Sequence, residues 1–200
     1  AIREFPKRPD PNLAPNKEQI IRAIRSIGMF MTVLITLRSQ NHREALVGVN
    51  INRTSAPSQS QLGRWEGFFT GAPGPAHLKV QIGRNGKTNT YTTTIDDKYA
   101  RYFDEYFDVY RPLLSKDENE TTFLLNPNGR PYNTDSFCEL IVKGYYRWLG
   151  VRITPHNVRD IVATEMHEKT GNVVFAASRL NNTPETMLRH YQRQNDKKAE

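Results

Sequence analysis

The chain has 200 residues, a formal net charge of +7 and a sequence pI of about 9.6. That length allows one substantial core but not two large ones, and the basic balance points to an anionic partner, nucleic acid first. The single cysteine, Cys138, excludes an internal disulfide, and the longest apolar run, Met29–Leu37, falls far short of the ~20 residues of a membrane span. No secretory signal pattern opens the chain, so the reading is of a protein of a reducing compartment, cytoplasm or nucleoid, or nucleus in a eukaryote.

Residues 1–15 are polar and basic, with Pro6, Pro9, Pro11 and Pro15, the composition of an extended linker. An amphipathic helix is predicted from Asn16, with Ile20, Ile21, Ile24 and Ile27 on one stripe and Gly28 as its stop. Met29–Arg38 reads as a second helix buried on most sides, and Arg43–Val49 as a short third. Residues 52–76 are rich in Ser, Gly, Pro and Gln and fit no period. They read as a long loop or insertion, whose Trp65, Phe68 and Phe69 fold back onto the core or meet a partner. His77–Ile82 and Lys87–Ile95 read as strands around Gly83-Arg84-Asn85-Gly86, because Asn-Gly is a strong hairpin signal.

Asp97–Leu114 repeats Tyr99, Tyr102, Phe103, Tyr106, Phe107 and Tyr110 at helical spacing, which assigns these rings to a core or interface. Asn126-Pro127-Asn128-Gly129 marks a turn. Thr134–Leu149 is a further amphipathic helix, capped by Thr134 or Asn133, and the SFCELIV setting of Cys138 within it predicts a buried thiol. The fold class expected is α+β, mainly α, with a small antiparallel sheet.

The stretch Thr154–Tyr191 carries the chemistry. Thr154 is a natural N-cap and Pro155 suits the first helical position. Val158, Ile161, Val162 and Met166 repeat at helical spacing, and Gly171 offers a stop. His156 and Arg159 therefore share one face of a first turn whose dipole favours a phosphate. Thr183 and Pro184 repeat the device and open a short helix with Tyr191 near its end.

His156-Asn157-Val158-Arg159, Leu180-Asn181-Asn182 and Tyr191, nine residues after Asn182, resemble the C-terminal motif block of the tyrosine recombinases, the phage-integrase family. The lead-in from Phe123 resembles the family as well. The resemblance implies a catalytic domain over residues 16–200, with the family's N-terminal DNA-clamping domain absent and residues 1–15 as its tether. The Ala1 start fits a fragment or processed product. It implies an enzyme that cleaves and rejoins double-stranded DNA through a covalent 3′-phosphotyrosine, without metal or cofactor, as in integration or excision of a mobile element. A homotetramer on two DNA sites, mostly monomeric off DNA, is implied too.

By the same resemblance Tyr191 is the nucleophile, Arg159 the second phosphate-binding arginine, and His156 an acid/base or phosphate donor. Asn182 stands where the family has histidine or tryptophan; its amide donates a hydrogen bond but exchanges no proton at neutral pH. His190 stands beside the nucleophile. The first arginine is Arg38, after Ile35-Thr36-Leu37, with Arg43 its rival. The general-acid lysine belongs to the hairpin, where Lys87 fits best and Lys79 and Arg84 are alternatives. Two other readings stay open: a recombinase-derived DNA-binding protein that no longer cleaves, and a telomere resolvase or type IB topoisomerase-like enzyme.

Overall fold

The computed structural model describes residues 5–7, 13–53, 65–69, 91–95, 97–180 and 182–189. In chain order the elements are α1 (Lys17–Leu34), α2 (Ser39–Arg43), β1 (Ile51–Arg53), β2 (Trp65–Phe69), β3 (Tyr91–Ile95) and α3 (Asp97–Glu105). A π-helical segment (Tyr106–Tyr110) follows, then α4 (Arg111–Leu114), α5 (Thr134–Leu149), α6 (Pro155–Thr170), α7 (Val173–Arg179) and α8 (184–189). Among the described residues no helix is long and apolar enough to cross a membrane.

α1 begins with a reciprocal cap: Asn16 Oδ1 accepts from Gln19 N at 2.9 Å, and Gln19 Oε1 from Asn16 N at 2.8 Å. It does not stop at Gly28. A Cβ added there would lie 2.9 Å from Leu140 Cδ2 of α5, so this glycine serves a close approach between helices. The two helices predicted for this stretch are one. The helix predicted over Arg43–Val49 is also displaced. α2 ends at Arg43, and Asn50 Oδ1 then accepts from Leu46 N at 3.0 Å, bending the chain back on itself.

β1, β2 and β3 form an antiparallel sheet in that order, with Ile51 opposite Gly67 and Gly67 opposite Thr93. The stretch 52–76 is thus not all loop; it supplies the central strand. Trp-Glu-Gly-Phe-Phe has no alternation for a period-two reading to detect. β3 occupies the end of the predicted strand Lys87–Ile95, while His77–Ile82 and the turn at 83–86 lie outside the described residues. Arg53 ties the sheet to the helices, with Nη2 2.8 Å from Asp104 Oδ1 and 3.0 Å from Asp108 Oδ2.

Asp97–Leu114 is helical throughout but changes register. Pro112 has no N–H for the Asp108 carbonyl, and the Arg111 N–H reaches back five residues to Tyr106 O. The predicted rings line the core: Phe103, Tyr106 and Tyr110 are fully buried, and Phe123 stacks on Phe103 at 5.8 Å. Phe5, from the expected linker, packs on Tyr102 at 5.0 Å and joins that core. Cys138 is half-buried rather than buried. The inward stripe of α5 is Phe137, Ile141, Gly144 and Tyr145, and Cys138 sits one helical step beside it.

The Asn126–Gly129 turn forms as predicted, with Gly129 N donating to Asn126 O at 2.9 Å. Gly129 has φ 76°, and a Cβ added there would lie 2.1 Å from Leu114 O, a backbone atom. Gly129→Ala is expected to destabilise the fold by on the order of 3 kcal/mol in urea titration. An unchanged midpoint contradicts this account.

Candidate functional site

α6 starts as the sequence predicts. Thr154 Oγ1 accepts from Asn157 N at 3.2 Å, Asn157 Oδ1 accepts from Thr154 N at 3.0 Å, and Gly171 ends the helix with φ 63°. The cap fixes the first turn, and with it His156 and Arg159. The two differ in environment. The His156 side chain is 82% exposed, its Nε2 3.7 Å from Asp160 Oδ2 one turn on. Arg159 is only 8% exposed. Its guanidinium donates to Leu180 O at 2.7 Å and to Asn182 Oδ1 at 3.3 Å. The partly negative carbonyl end of α7 therefore helps to hold a cation largely out of water.

α7 was not foreseen, yet it organises the site. Its N-cap is Asn172, which accepts from Phe175 N at 2.9 Å, and its last turn delivers the Leu180 carbonyl. Ala176, Ala177 and Leu180 pack with Ala163 of α6 and with Met187, which anchors α8 to both helices. Thr183 caps α8, accepting from Thr186 N at 3.3 Å.

Together these segments enclose a cleft of about 520 Å³. Arg38, His156, Arg159 and Asn182 all line it, as do Asp160 and Arg189. Arg38, His156, Arg159 and Asn182 thus come from three separate stretches of sequence to one cleft. Arg43 does not line the cleft; it pairs with Glu44 at 2.8 Å. Asp160 and Arg189 were missed by the sequence reading. The signal for Arg189 was its place on the helix opened by Thr183 and Pro184. With its oxygen engaged by Arg159, the Asn182 amide keeps its NH2 as the remaining donor. Three guanidinium groups and a histidine make the cleft a strong anion site, with Asp160 the one carboxylate on its lining among the described residues.

Lys79, Arg84, Lys87, Asn181, His190 and Tyr191 lie outside the described residues. None of the tyrosines with a described side chain lines the cleft. Among the described residues no group of three or more His, Cys, Asp or Glu side chains is placed to hold a metal ion.

Next to the cleft lies His42 of α2, fully buried. Burial pushes its pKa down from 6.5 to about 4; the Ile35 carbonyl opposes this and the Arg159 charge adds to it. Between those two values the unfolded chain binds a proton that the folded chain refuses. Stability is therefore complete above about pH 6.5 and is lost as pH falls toward 4, by about 3 kcal/mol from this group. His42→Gln is expected to flatten that part of the pH–stability curve measured by denaturant unfolding. A variant whose acid limb coincides with that of the wild type refutes the assignment.

Two solved structures share the architecture. A crystal structure of XerH site-specific recombinase, bound to difH substrate in a pre-cleavage complex, matches with a TM-score of 0.58 at 15% identity, over 86% of this chain and 43% of that one. A crystal structure of XerA recombinase matches with a TM-score of 0.55 at 15% identity, over 92% of this chain and 61% of that one. The fold is therefore similar to that of site-specific recombinases. At such identity the likeness concerns the fold alone, and the chain spans about half the length of these neighbours. No protein-family model and no curated protein matches the sequence.

Proposed function

We propose that this chain is the catalytic part of a recombinase that cleaves and rejoins double-stranded DNA through a tyrosine. The observation that carries the reading is the convergence of Arg38, His156, Arg159 and Asn182 on one cleft walled by the helix that leads to Tyr191. In this reading Arg38 and Arg159 grip the non-bridging oxygens of a phosphodiester, where negative charge grows in the transition state. His156 and the Asn182 amide add donors. The Tyr191 phenol gives its proton to His156 or to water, and its oxygen forms a bond to phosphorus as the bond to the 5′-oxygen breaks, leaving a 3′-phosphotyrosine. A general acid, Lys87 in preference to Lys79 or Arg84, gives the departing 5′-oxygen its proton. Reversal by a new 5′-hydroxyl reseals a strand.

The chemistry needs neither metal nor cofactor. Integration or excision of a mobile element by a tetramer on two DNA sites is the setting proposed. The deciding experiment incubates the protein, in EDTA, with a nicked duplex from the flank of its own element. A covalent protein–DNA adduct is expected, with the linked residue mapped by mass spectrometry. Absence of any adduct on cognate DNA favours the second reading, a DNA-binding protein without cleavage, for which Asn182 in place of a proton-exchanging histidine speaks. Sequence-independent relaxation of a supercoiled plasmid would instead indicate a topoisomerase-like enzyme.

Arg189 lines the cleft but is exposed, so its contribution is expected to be charge rather than fold. Arg189→Ala is expected to weaken duplex binding uniformly across sequences and to make the salt dependence shallower by about 1 in log–log slope. An unchanged slope places Arg189 away from the phosphates.

A further inference from the structure

We propose that His42 is a positioning residue that sets the aim of Arg38 into the cleft. The proposal deepens the reading of that cleft as a phosphodiester site. Arg38 is exposed and N-caps the five-residue α2 with no side-chain cap bond. Among the described residues its side chain has no hydrogen bond or ion pair of its own. Its direction therefore depends on the backbone of residues 35–39, which lies between two helices and belongs to neither α1 nor, until Ser39, α2.

That backbone is held from inside. Ile35 and Leu37 are buried anchors on either side of Thr36. The His42 Nε2–H reaches back seven residues and donates to Ile35 O, which also accepts from Leu37 N at 2.8 Å. The ring closes residues 35–42 into a loop with Arg38 on its outer side. Thr36 Oγ1 donates to Arg179 O, at the end of α7. The next carbonyl, Leu180 O, is the one that accepts from Arg159. Two arginine-bearing segments are thereby joined through one helix end, and His42 is the staple on the Arg38 side.

A packing role alone does not account for an imidazole here. The ring lies 6.0 Å from Phe137 in fully buried surroundings, where a phenylalanine or leucine fills space without desolvating two nitrogens. Its Nδ1 is buried and has no hydrogen-bond partner among the described residues. The one polar service the ring gives is the bond to Ile35 O, and what that bond fixes is the loop of Arg38.

The test compares His42→Gln, whose amide nitrogen can occupy the Nε2 position, with His42→Asn, whose shorter amide cannot reach Ile35 O, and with His42→Phe. Two readouts are taken on proteins shown to be folded by their melting curves. The first is the Arg38 Nε–Hε resonance and its shift on titration with inorganic phosphate. The second is the single-turnover rate of adduct formation on the nicked duplex. His42→Gln is expected to keep the Arg38 signal and to react within about 3-fold of the wild type. His42→Asn and His42→Phe are expected to collapse that signal toward the free-arginine position and to slow the reaction by about 10-fold or more. On an Arg38→Ala background the same substitutions are expected to add nothing further.

Equal behaviour of Gln and Asn overturns the proposal, as does an Arg38 resonance that His42→Phe leaves in place. If His42→Phe does not fold, the Gln–Asn contrast decides. If the wild type forms no adduct, the phosphodiester reading falls, and the Arg38 resonance alone decides whether His42 positions it.

Discussion

Tyr191→Phe is expected to abolish the covalent protein–DNA adduct while leaving duplex binding within a few-fold of the wild type. The substitution deletes one oxygen. Removing a nucleophile that acts as a unit with its activating groups costs at least about 10⁴-fold in rate in well-studied enzymes, and a phenylalanine ring has no oxygen with which to attack phosphorus. None of the tyrosines with a described side chain lines the cleft. Tyr106 and Tyr110 are fully buried, and burial raises both phenols well above their ordinary pKa, so neither supplies a phenolate at neutral pH.

The arginine grip is expected to survive in Tyr191→Phe, because Arg159 donates to Leu180 O and Asn182 Oδ1, neither of which the substitution touches. The melting temperature is therefore expected to stay put. The measurement is adduct yield on the nicked duplex beside a filter-binding isotherm for the same DNA. An adduct that persists in Tyr191→Phe removes Tyr191 as nucleophile, and mapping then names the residue that took its place. Loss of both adduct and binding would mean that the phenol packs or binds rather than attacks.

The site was legible where chemistry is written in local spacing. Thr154, Pro155, Asn157 and Gly171 state where α6 starts and ends, and a helix start fixes which side chains share its first turn. What spacing alone did not show is that His156 stays in water while Arg159 is buried. That difference comes from α7, a seven-residue helix whose alanines pack on α6. Val173–Arg179 is too short to display a period, and its two exposed apolar residues, Val174 and Phe175, blur what pattern there is.

Gly28 misled for a related reason. A glycine reads as a stop when its neighbours are solvent, but here a second helix leans on it, a fact written some 110 residues away at Leu140. His42 was passed over because a lone histidine carries no motif. Its meaning lies in the Ile35 carbonyl it meets once α1 ends and the chain turns. The central strand was lost to composition, since Trp-Glu-Gly-Phe-Phe follows a stretch rich in Ser, Gly, Pro and Gln.

Arg159→Lys is expected to slow adduct formation by about 10²- to 10³-fold while keeping the charge. Arg159 has two tasks at once. Its guanidinium satisfies Leu180 O and Asn182 Oδ1, and it lines the cleft where a phosphate is proposed to sit. A planar fork with five donors can serve both directions. A lysine ammonium is a compact point charge that holds either the helix-end carbonyl or the phosphate, and being more strongly hydrated it is costlier to bury at 8% exposure. The rate effect should therefore exceed the affinity effect, since the lost contact is the one that strengthens as charge grows on the oxygens. Arg159→Ala is a harsher change. It leaves the buried Leu180 carbonyl and the partly buried Asn182 oxygen without this donor, and is expected to destabilise the fold by about 1–3 kcal/mol besides. Single-turnover rates at saturating duplex, set beside urea unfolding of each variant, separate the two losses. If Arg159→Lys reacts at the wild-type rate, or if its loss follows the fraction unfolded, the arginine is a strut between α6 and α7 and the phosphate must be held by other hands.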